Sequence, residues 1–131
     1  MKKITSIAVI ALFFAMTTGS AQSVGDKWPA IKNFHEVMSK SFHPTEEGNF
    51  APLRANSESL MNKAFDLTRI ETPKEFKTSS MMAIVEKLQR EVREINRLVI
   101  VQASDDALKT AIIQAHDTFH EIVGLCSGAK H

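Results

Sequence analysis

Two histidines stand four residues apart in "AHDTFHEIVGLC", the stretch from Ala115 to Cys126. The only cysteine of the chain follows six residues after the second of them. On a helix, residues i and i+4 share a face, so His116 and His120 can offer two imidazole nitrogens to one ion. Neutral imidazole suits zinc, copper and nickel, and three such ligands leave a fourth position open. The remaining histidines are His35, His43 and the terminal His131. His35 can supply the third nitrogen where its helix faces the pair. His43 has Glu46 and Glu47 close by in sequence, and these three form a looser candidate for a second site. Cys126 lies nearly two turns past His120, about 9 Å along a helix, so its thiol is a weaker candidate ligand. Met38 or Met61 would add a soft thioether and move the preference toward copper. The ordinary role of each such histidine is a hydrogen bond or a solvated helix flank.

The elements that must position these residues read as helices throughout. Pro29 suits a first helical turn, and Ile31, Phe34 or His35, Met38 and Phe42 repeat at helical spacing. Pro44 is expected to end this run, because the residue before a proline is pushed out of the α region. Asn49 can cap a second helix from Phe50 to about Ile70, with Leu53, Leu60, Met61, Ala64 and Leu67 as its apolar stripe. In "ETPKEF", Thr72, Pro73 and Glu75 have the pattern of a cap, a first-turn proline and a capping-box glutamate, with the helix restarting at Thr78 or Ser79. The third helix carries Met81, Ile84 or Val85, Leu88, Val92, Ile95 and Val99, and its other face is charged and solvated. Ser104 is the expected N-cap of the fourth, whose stripe is Leu108, Ile112, Ala115, Phe119, Ile122 and Cys126. Four amphipathic helices with short connections predict an all-α, up-down-up-down four-helix bundle. In that topology the first and last helices are antiparallel neighbours. Counting rises from Pro29 and back from Cys126 levels His35 with His120, and Met38 with His116.

Met1–Ala21 has the form of a signal peptide: Lys2 and Lys3, an apolar stretch over Ile4–Met16, and small residues Gly19 and Ala21 before the expected cleavage site. Residues 22–131 then form the bundle domain, with no membrane span after cleavage and a periplasmic or secreted destination. Without Lys2 and Lys3 the balance is 14 basic residues to 15 acidic ones, a net charge of −1. This gives no basic excess for nucleic acid. One cysteine excludes an internal disulfide. No Cys-x-x-Cys-His, Glu-x-x-His or His-Glu-x-x-His occurs. Covalent haem, ferritin-like di-iron chemistry and zincin chemistry are therefore not expected, and neither is an enzyme.

The second half, with "TPKEFK", "SDDALK" and a histidine late in "AHDTFHEIV", resembles the small periplasmic b-type cytochromes of the four-helix-bundle class. The resemblance covers about the last sixty residues. It implies non-covalent haem b held by Met38 with His116 or His120, or by His35 with His120, and a role in electron transfer. Three functional readings follow. The first is a binding protein for a transition metal ion, zinc or copper, at His35, His116 and His120. The second is the haem-binding electron carrier. The third is a metal-free adaptor or chaperone-like bundle with an adaptable surface of Met38, Met61, Met81 and Met82.

Overall fold

Prolines and short polar side chains set where each helix begins. The computed structural model describes residues 24–127. It shows α1 over Pro29–Glu46, α2 over Ala51–Arg69, α3 over Ser79–Ile100 and α4 over Asp105–Cys126. The chain is all-α, with a single 3-10 turn at Lys74–Phe76 and no strand among the described residues. The signal-peptide stretch Met1–Ala21 and His131 lie outside the described residues. Pro29 opens α1, and Asn49 Oδ1 accepts from the Ala51 N–H at 3.2 Å ahead of Pro52 in the first turn of α2. Thr78 caps α3 by accepting from the Met81 N–H at 3.1 Å. Ser104 caps α4 by accepting from the Ala107 N–H at 3.2 Å, and Asp105 and Asp106 meet the positive end of that helix. Ser104→Ala is expected to lower stability by about 1 kcal/mol in urea unfolding, with Ser104→Asp restoring it.

The end of α1 departs from the expectation that Pro44 stops it. The helix runs through Pro44 to Glu46. Pro44 has no N–H to offer the preceding turn, but two buried hydroxyls follow the helix here. Ser41 donates to the Val37 carbonyl and Thr45 to the Ser41 carbonyl, each at 2.8 Å. Two residues past the end of the helix stands Gly48, whose φ of 85° only glycine adopts without strain. There the Gly48 N–H donates to Thr45 O at 3.0 Å and the Asn49 N–H to Pro44 O at 2.9 Å, the two bonds of a Schellman ending. One further turn of helix therefore extends past His43.

Thr72 also differs from its expected role. It does not cap a helix; its hydroxyl donates back to the Leu67 carbonyl at 3.0 Å and closes the end of α2. Residues 74–76 make one 3-10 turn that places Phe76 against Trp28, with ring centroids 5.6 Å apart.

The apolar stripes are inside, as their spacing requires. Ile31, Phe34, Met38 and Phe42 of α1 meet Leu53, Leu60, Ala64 and Leu67 of α2 in one core with the stripes of α3 and α4. Each such side chain contributes about 1.5–3 kcal/mol on burial. Met38 and Met81 are buried, and Met61 and Met82 pack against the same core, so these four methionines fill space and do not line a groove. Besides Ser41, Thr45 and Thr72, Gln89 and Ser57 are buried with partners. Gln89 Nε2 donates to Ala64 O and Thr68 Oγ1, and Ser57 donates to Asn96 Oδ1. The outer face of α3 is charged, with Glu94 and Arg97 paired at 2.6 Å in solvent.

Each helix packs on the next in sequence: α1 on α2, α2 on α3, α3 on α4. The first and last also meet, but their backbones approach less closely than the other pairs do. Among the described residues, no helix is long and apolar enough to cross a membrane.

Candidate functional site

The seam between α1 and α4 is filled by rings. Phe34 packs on Phe119 with centroids 5.2 Å apart, and Phe42 lies flat on His116, with centroids 3.8 Å apart and planes 6° from parallel. His35 stacks on Phe119 at 5.5 Å. Ring-on-ring packing of this kind holds two helices further apart than aliphatic side chains would. It also shows that α1 and α4 run in opposite directions, because the lower residue of α1 meets the higher-numbered residue of α4.

Three Phe-His pairs build the seam: Phe34-His35, Phe42-His43 and Phe119-His120. Successive helical residues point about 100° apart. A buried phenylalanine therefore places the next residue at the rim. Phe34, Phe42 and Phe119 are buried, while His35, His43 and His120 are exposed. Sequence spacing alone placed the three phenylalanines in the apolar stripe or core. Their second role as platforms for imidazoles was carried by this repeated dipeptide and was missed.

His116 and His120 come together as their spacing requires, with Nε2 atoms 3.2 Å apart and rings nearly perpendicular. His116 is three-quarters buried, and its Nδ1 lies 4.0 Å from Asp117 Oδ1. Burial, then the His120 charge, holds the His116 imidazole below its ordinary pKa; Asp117 and Glu46 oppose this, and His43 adds to it. The face of His35 on Phe119 is shielded although its edge meets solvent. That shielding, followed by His120 and His43, lowers its pKa too, against Glu36. Both rings are thus biased toward the neutral form that ligates metal. His120 also borders an open groove of about 430 Å³ with Ile84, Asp117, Glu121, Gly124 and Leu125, so solvent reaches its outer edge.

Among the described residues, no three His, Cys, Asp or Glu side chains converge closely enough to enclose an ion as the side chains stand. The set His35, His116, His120 is therefore a pair with His35 beside it, not a preformed triad. Of the second candidate group, His43 Nδ1 lies 3.2 Å from Glu46 Oε1, whereas Glu47 is the C-cap residue of α1. Cys126 is partly buried, and burial, with Glu75, pushes its thiol up to about 11, so it stands as a protonated side chain rather than a thiolate ligand.

For the haem alternative, Met38 is 1% exposed and sits in the core, below the rim that carries His35 and His120. A macrocycle bound between α1 and α4 by Met38 would have to displace Phe34, Phe42 and Phe119 from the seam. No family model, no curated protein and no solved structure matches this chain.

Proposed function

We propose an exported, up-down-up-down four-helix-bundle protein that binds a divalent transition metal ion, zinc or copper, through histidines of α1 and α4. Its purpose would be sequestration or delivery in the periplasm or outside the cell. The observation that carries this reading is the 3.2 Å between His116 Nε2 and His120 Nε2. Two imidazoles that each ligate at about 2.0–2.1 Å in a tetrahedral site stand about 3.3 Å from one another. The pair therefore has the bite of one edge of such a site. The neutral bias of His116 supports the same use. An imidazole of α1 supplies the third ligand: His35 at the Phe119 level or His43 above it.

The test is calorimetric titration of the purified protein with Zn(II) and with Cu(II), beside elemental analysis. One ion per chain is expected. An ion at a thousand times its Kd should raise stability by about 4 kcal/mol. His116→Ala should weaken binding by at least about 100-fold while its far-UV circular dichroism stays that of the parent. Heat flow of dilution only, and no shift of the thermal midpoint, would sink the reading; a red protein with a Soret band would instead favour haem.

A further inference from the structure

The α1 histidine that joins His116 and His120 is decided by what holds each candidate ring. We propose that His43 is the third ligand, with Glu46 as the positioning residue that orients it, so that the ion sits on His43, His116 and His120. This rests on the metal-binding reading above and assigns its ligand set.

Three observations place His43 there. Phe42 lies flat on His116, so the next residue of α1 emerges at the rim beside that ring. The helix does not stop at Pro44, and the extra turn puts Glu46 three residues past His43 on the same face, with Oε1 3.2 Å from His43 Nδ1. A carboxylate on Nδ1 fixes the tautomer that leaves Nε2 unprotonated, the arrangement that metal-bound histidines ordinarily have. His116 has no such contact: Asp117 Oδ1 stands 4.0 Å from its Nδ1, beyond hydrogen-bond distance. His35 lacks this support: its ring lies on Phe119, with no carboxylate within hydrogen-bonding distance of its nitrogens. His35 is also eight residues from His43, about 12 Å along α1, too far for both to reach one ion.

The side chains of His43 and Glu46 are largely exposed, at 67% and 56%, so the ring can swing onto the pair without disturbing the core. Three imidazoles and one open position describe a site for Zn(II), or for Cu(II) with solvent completing its sphere.

Wild-type protein and the variants His43→Ala, His35→Ala and Glu46→Gln are titrated with Cu(II), and the bound nitrogens are counted by pulsed EPR. The expected result is three imidazoles in the wild type and two in His43→Ala, with affinity down at least 30-fold. A 30-fold loss corresponds to about 2 kcal/mol, at tenfold per 1.4 kcal/mol. Glu46→Gln should keep three nitrogens and lose about 10-fold or more. His35→Ala should change affinity by less than about 3-fold, well under one such step. Unchanged binding in His43→Ala, or loss in His35→Ala in its place, overturns the assignment while leaving metal binding intact. No copper bound by the wild type removes the broader reading and this one with it. All three positions are exposed at the rim, so circular dichroism should report folded variants throughout.

Discussion

Phe119→Ala should lower the free energy of unfolding by about 3–5 kcal/mol, the cost of emptying a buried aromatic site. Phe119 is 2% exposed and touches Phe34 on one side and His35 on another. Its removal deletes hydrocarbon from the seam between α1 and α4, where Phe34 and His35 pack on it and would have to move to refill the space. A domain of this size has about 5–15 kcal/mol in all, and each kcal/mol moves the thermal midpoint by about 4–8 °C. Guanidinium unfolding measures the change directly. Phe119→Leu should recover more than half of it, because most of the volume returns. A loss under about 1 kcal/mol for the alanine variant, the level of an ordinary surface or average substitution, would mean that the seam is not packed as described.

Acid should strip the metal and weaken the apoprotein together. His35 and His116 both have pKa values held below the ordinary 6.5 in the folded chain, chiefly by burial and by His120. The unfolded chain therefore takes up more protons than the folded one once pH falls below about 6.5. The stability due to these rings is fully present above that pH and is lost as pH drops through their lower folded values. Glu36, Glu46 and Asp117 act against the shift and His43 acts with it, so the carboxylates make the loss smaller than burial and the neighbouring histidines alone would. Metal affinity should fall on acidification, because only the unprotonated imidazole ligates metal. Zinc release followed with a chromogenic chelator, beside urea midpoints of the metal-free protein from pH 8 to pH 4, reads both. A urea midpoint that rises on acidification would contradict the sign.

The helix starts were legible because capping is local chemistry. Pro29, Thr78 and Ser104 act within one turn of themselves, and each stands where its helix begins; Asn49, expected as the cap of α2, stands one residue before the N-cap Phe50 and accepts from the Ala51 N–H instead. The apolar stripes were legible for the same reason that helices have a period. The end of α1 was not, because a proline penalty is one term among several. The hydroxyls of Ser41 and Thr45 bond back along the helix, and Gly48 supplies the left-handed residue that a Schellman ending needs. Thr72 shows the same limit: it has the spelling of a cap but bonds back to Leu67. Gln89 and Ser57 entered the interior on partners 25 and 39 residues away, which no local pattern contains.

At the site, the adjacency of His116 and His120 followed from their spacing, and the helix-rise count levelled His35 with His120, whereas the ring that His35 stacks on is Phe119. The same count matched His116 with Met38, whereas the ring that meets His116 is Phe42. Rise counting locates Cα atoms; aromatic side chains lean along the helix and meet neighbours a turn away. The ring orientations depend on those leanings and on both helices at once, so the grip of Glu46 on His43 required coordinates.

The wide α1–α4 boundary gives the molecule a weak edge. It joins the helices most distant in sequence, and its backbones meet over a smaller stretch than those of helices adjacent in sequence, with stacked rings filling the rest. Breathing motions that expose amides to exchange should begin along this line, since it has the least to lose on opening. A ligand gripping both sides would latch the bracelet formed by the four rods, joining its first and last members and slowing every excursion that starts by parting them.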